Sequence, residues 1–250
     1  MPDDKFYFFV MDVIIYSVLI VTVLGSGSLI FLFKPDDHRV MKFLLAFSGA
    51  FLIGITFLKL VPEVFSEPAM FTGLFVLLGF LLQLLLELIT EGAEHGHRHE
   101  HSDNEKSSPL LLLLGLCIHA FLEGMPIVQG FDLKLQHTLV IAIVIHNVPI
   151  SLMLMSLYLH YGCSKFKAFI YLLIFALMTP LGSVFSNLLG VSLTSSVNDY
   201  MNYILAVVIG IFLHVSTTIL FETEENHRYN LQKFITVIIG LGVAFGISLI

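Results

Sequence analysis

Eight stretches of this sequence stay apolar for about the length needed to cross a bilayer, and that repetition constrains the fold more than any other feature. They fall at approximately 6–33, 43–61, 70–89, 110–128, 139–158, 169–189, 203–221 and 234–250. A helix of about 20 apolar residues spans a hydrocarbon core about 30 Å thick. Composition points the same way. With 57% hydrophobic and 12% charged residues and a mean hydropathy of +0.92, a water-soluble domain would have a mostly apolar surface. The expectation is an all-α, polytopic integral membrane protein, with residues 1–250 as a single transmembrane domain and no soluble domain between the short connections.

The first run starts close behind Asp3 and Asp4, without a basic leader, and is far longer than a signal-peptide apolar region, so no cleavage is expected. Cys117 and Cys163 lack CxxC spacing and read as small packing residues. Connections one, three, five and seven carry Lys34, Arg39, Lys42, Arg98, Lys106, Lys165, Lys167, Arg228 and Lys233, nine of the twelve basic residues. The opposite side has Lys5 and Lys134, with Lys59 near a helix end. The positive-inside rule then puts both termini outside the cytoplasm, in a cell (inner) membrane. A net charge of -7 and the lack of a basic patch argue against nucleic acid as a partner.

The one compositional break is the segment 91–108, which contains Glu94-His-Gly-His-Arg-His-Glu-His101. A tract this polar cannot pack in a bilayer, and the orientation puts it in the cytoplasm. His95, His97, His99 and His101 alternate with flexible or charged residues, so several imidazoles can wrap one Zn²⁺-like ion; a solvated loop that is merely His-rich is the plainer account.

Ionisable groups inside the apolar runs are the strongest functional signal. Run four contains His119-Ala-Phe-Leu-Glu123-Gly124-Met-Pro126, and run five contains His146-Asn147-Val-Pro149. A charge at the centre of a spanning helix costs at least about 2.5–3.5 kcal/mol, so it persists where an ion, a partner or a wet cavity compensates it. His119 and Glu123 are four apart and share one helix face, which makes a half-site for one ion. Pro126 and Pro149 each remove a backbone donor, so both helices are expected to kink and bring His119, Glu123 and His146 to similar depth, with Asn147 beside them. Two imidazoles and a carboxylate suit Zn²⁺ and, less selectively, Fe²⁺, Mn²⁺ or Cd²⁺. A hydrogen-bonded polar network joining two helices is the alternative. Because runs four and five hold these residues while runs one and eight carry mainly Gly, Ser and Thr, runs four and five are expected to form the central pair.

Other candidates are weaker. Gln83 and Glu87 are an i,i+4 pair near the end of run three, where an ion could pause, although a helix-end carboxylate reaching the interface explains Glu87. His214, followed by Ser216, Thr217 and Thr218, could border an exit path or serve helix packing. Met153 and Met155 read as packing, and His137 and His160 need no function.

At these motifs the chain resembles the ZIP (Zrt-, Irt-like protein) family of divalent-metal transporters. Ser48-Gly-Ala-Phe-Leu-Ile-Gly-Ile-Thr-Phe-Leu-Lys59-Leu-Val-Pro62-Glu63 is similar to the family's second helix, and Met178-Thr179-Pro180-Leu181-Gly182 to its sixth. The resemblance implies eight helices in a 3+2+3 arrangement with an inverted repeat, both termini outside, a His-rich cytoplasmic loop, and elevator-like motion of the metal-bearing helices. It also implies ion ligands on helices four and five. Where the family has His-Asn before its acid on helix four, this chain has His119-Ala120. After the helix-five Pro it has Ile150, and before the helix-six Pro it has Thr179. These departures fall on the second of two adjacent ion positions, so the resemblance implies a mononuclear site at His119, Glu123 and His146. Lys59 stands where a His is frequent.

The expected function is import of a divalent transition-metal ion, zinc first, with no catalytic residue and no resident cofactor. Its partners are the ion itself, the lipid bilayer and, as an open alternative, a second copy of the chain. An intramembrane zinc hydrolase could use the same ligands to activate water. It would need a further general base, and neither HExxH nor a second acidic residue lies near the two motifs. A sensor or buffer would need to trap the ion.

Overall fold

The computed structural model describes residues 2–31, 38–90, 109–128, 133–192, 197–221 and 231–249, which are helical with short turns. In chain order the helices are α1 (Pro2–Ser28), α2 (His38–Ile55), α3 (Val61–Val64), α4 (Thr72–Thr90), α5 (Pro109–Gly124), α6 (Leu133–His160), α7 (Lys165–Ser192), α8 (Val197–Phe221) and α9 (Leu231–Ser248). A 3₁₀ turn, Leu29–Phe31, ends α1, and a π turn, Thr56–Leu60, joins α2 to α3. Pro62 cannot donate to the Leu58 carbonyl, and the Val61 N–H reaches back to Thr56, so the chain widens there rather than stopping. Lys59 lies in that widened turn, half-exposed.

Among the described residues, seven helical segments are long and apolar enough to span a bilayer. The fourth apolar run is shorter as a helix: α5 has 16 residues, about 24 Å of rise. The kink expected at Pro126 is instead a helix end. The α region is disfavoured for a residue that precedes a proline, and at Met125 the chain turns through bonds from Met125 N to the Leu122 carbonyl and from Ile127 N to the Gly124 carbonyl. Irregular backbone at membrane depth is tolerated where protein buries it. Pro126, Ile127 and Val128 are buried, and the Ser183 hydroxyl of α7 donates to the Ile127 carbonyl. Pro149, by contrast, sits inside the uninterrupted α6.

The helices fall into two packing groups. In one, α5 packs on α7 and α1 on α6, with α1·α7 and α6·α7 closing the set; in the other, α4 packs on α8 and α2 on both α9 and α8. One hydrophobic core draws on α1, α5, α6 and α7 alone, through residues such as Leu116, Leu154, Leu172 and Phe175. The larger core spans the seam, with Leu52, Leu139 and Phe212 from α2, α6 and α8. Across the seam α2 packs on α6, and α4 on α5.

Run five is central as expected: 72% of the apolar window in α6 is buried, against 11% in α9. Runs four and five do not form a close-packed pair, however. α5 leans on α7, where a Cβ on Gly124 would collide with the Thr179 carbonyl oxygen and one on Gly182 with that of Phe121. Glycine allows backbones to touch at that crossing, whereas the α5–α6 side carries two imidazoles and a carboxylate that need room between the helices. Tyr158 of α6 still ties the start of α5 by donating to the Pro109 carbonyl, 2.7 Å away. Both cysteines are unbridged, Cys117 buried and Cys163 half-buried, and Met153 and Met155 are core residues.

Candidate metal centre

Helical spacing brings His119 and Glu123 one above the other on α5, with His119 Nε2 2.9 Å from Glu123 Oε1. From α6, His146 Nε2 approaches the same oxygen at 3.9 Å. The two imidazole centroids are 5.9 Å apart, with ring planes at 69°. One potential ligand atom from each of the three residues lies within 4.8 Å of the others, and all three side chains are buried. Leu45, Leu116, Ile150, Val215 and Ile219 line a pocket around the two imidazoles, so the surroundings are apolar.

Polar satisfaction here is incomplete in a way that fits a cation. Among the described residues, neither Glu123 oxygen, neither His146 nitrogen nor Asn147 Oδ1 has a hydrogen-bond partner. Buried carboxylates are ordinarily paired, protonated or bound to metal. The 2.9 Å approach of His119 Nε2 to Glu123 lacks hydrogen-bond geometry. On the far side of the ring, His119 Nδ1 is 2.9 Å from Gln83 Oε1 of α4. A carbonyl oxygen can only accept, so Nδ1 carries a hydrogen in that bond, and in the neutral ring Nε2 is then the atom with the free lone pair. In that form the imidazole nitrogens and the carboxylate make a donor set for a shared cation. Asn147 is buried one residue after His146, about 100° further round α6.

Run three contributes more than its spacing indicated. Gln83 is fully buried and holds His119, and Glu87 Oε2 lies 3.3 Å from His214 Nε2 of α8, which also stacks edge-on against Phe80. Ala120, Ile150 and Thr179, where the sequence departs from the pattern it resembles, are buried. His137 and His160 are exposed at helix ends. His95, His97, His99 and His101 lie outside the described residues.

The model of the family described as ZIP Zinc transporter matches residues 91–248, well over half of the chain. The chain belongs to this family. Membership makes it a divalent-metal transporter, and the seven apolar spans among the described residues make it a multi-pass integral membrane protein. The matched region takes in α5 to α9, hence all three clustered residues, while runs one to three lie before it. None of the curated proteins compared with the chain matches it.

Proposed function

We propose that this ZIP family member imports a divalent transition-metal ion, zinc first, through one intramembrane site formed by His119, Glu123 and His146, with Asn147 alongside. The observation that carries the reading is the fully buried Glu123 carboxylate, whose oxygens make no hydrogen bond among the described residues while two imidazoles converge on one of them. Two nitrogen donors and a carboxylate with an open fourth position hold Zn²⁺ reversibly, whereas a closed four-ligand site would retain it. A single ion is favoured because Ala120 and Ile150 bring no donor and Thr179 brings no charge.

The pairing of helices supports the 3+2+3 arrangement of eight spans with α5 as the fourth. Exchanging spans one, two and three with six, seven and eight, and four with five, converts the α5·α7 pair into α6·α1 and the α4·α8 pair into α9·α2. All four are close-packed. That is the pattern an inverted repeat produces. The separate core of α1, α5, α6 and α7 is the unit that would travel in an elevator motion, with α2, α4, α8 and α9 as the wall. The basic residues of the odd connections favour a cytoplasmic His-rich loop at 91–108, exterior termini and inward transport.

The reading is tested by uptake of radioactive zinc into proteoliposomes. Wild type should load zinc, and Glu123→Ala at equal incorporation should not. Equal uptake by the two would overturn the assignment. An intramembrane hydrolase has less support, since the family the chain belongs to is one of transporters.

A further inference from the structure

We infer that Gln83 is a positioning residue that fixes the tautomer of His119, and that it does so only while the two packing groups stand as they do here, which ties the hold on the ion to conformation. The inference deepens the proposed transport function and rests on it.

The hydrogen bond from His119 Nδ1 to Gln83 Oε1 is 2.9 Å long, and both side chains are buried. It orients the ring so that Nε2 faces Glu123. Partners that hold a ligating imidazole from behind typically change metal affinity 10–100-fold when removed.

The bond also crosses the seam. One turn before Gln83, a Cβ on Gly79 would collide with the Val207 carbonyl oxygen, and one on Gly210 with that of Val76. Backbone contact of this kind fastens α4 to α8. The equivalent contacts of Gly124 and Gly182 fasten α5 to α7. Gln83 therefore moves with α8, and His119 with α7. A hydrogen bond is lost beyond about 3.5 Å, so a slide of even a few ångströms between the groups would release the imidazole from its acceptor. A neutral amide, unlike a carboxylate, orients the ring without adding negative charge, which suits an ion that must leave.

The test uses the full chain with His95, His97, His99 and His101 replaced by Ser, labelled with ¹⁵N-histidine and probed with Cd²⁺. In metal-free wild type, His119 should be the Nδ1–H tautomer, identified by loss of its signals in His119→Ala. Gln83→Met should lose that preference and bind Cd²⁺ about 10–100-fold more weakly. Gln83→Glu should restore the tautomer, bind at least as tightly as wild type, and lower the maximal uptake rate. A Gln83→Met protein with wild-type tautomer and affinity overturns the inference. If that variant does not fold, Gln83→Glu decides, because an unchanged maximal rate and affinity overturns it equally. Absence of Cd²⁺ binding in the wild type contradicts the site itself, while binding that ignores Gln83 contradicts only the role of Gln83.

Discussion

Glu123 is where burial and charge conflict most sharply. It is fully buried, two imidazoles approach it, and no hydrogen bond among the described residues compensates it. His119→Ala, Glu123→Ala and His146→Ala should each abolish zinc uptake or cut it at least about tenfold, since three ligands are near the minimum for such a site. Normal uptake by two of the three at equal expression would remove the assignment. A thermal shift gives an independent check. Zinc at about 100 times its Kd should stabilise the wild type by about 2.7 kcal/mol and leave Glu123→Ala unmoved. These three residues were legible in the sequence because an ionisable group stands out against apolar neighbours. Gln83 was not, because its partner is 36 positions away on another helix and its spacing to Glu87 suggested a local pair. The contact of Glu87 with His214 was hidden for the same reason.

At the scale of elements, helix contacts depend on where glycine lets backbones touch. Gly124→Ala should destabilise the protein by roughly 1–3 kcal/mol, because the new methyl group meets the backbone of Thr179 rather than a side chain that can move. Gly242→Ala on α9, where a Cβ meets nothing within 4 Å, should be neutral or slightly stabilising. Thermal unfolding of the two variants side by side measures the difference, and equal unfolding temperatures would contradict the packing argument. The apolar runs revealed the spans themselves, since length and hydropathy are properties of each segment alone. They did not reveal that α5 stops at Gly124, because a proline near a helix end is compatible with either a kink or a stop. Nor did they show that α5 packs on α7 rather than α6, which depends on residues from two distant segments.

For the molecule as a whole, the proposal predicts separable roles for the His-rich tract and the intramembrane cluster. Replacing His95, His97, His99 and His101 with Ser should retain substantial uptake, although apparent affinity can change, because a segment this polar cannot form a path through hydrocarbon. Initial rates against external zinc at matched surface expression measure this, and complete loss of the maximal rate with zinc still bound in the membrane would make the tract part of the path. In the proposed transport the two packing groups would be the wall and the moving body, and the cluster lies where they meet. The central claim, one ion held by His119, Glu123 and His146, is tested most directly by anomalous diffraction at the zinc edge from crystals of loop-substituted protein. The account predicts a single peak about 2.0–2.2 Å from an imidazole nitrogen of His119 and of His146 and a Glu123 oxygen. Two fully occupied neighbouring peaks, or a peak bound elsewhere with none at these residues, would contradict it.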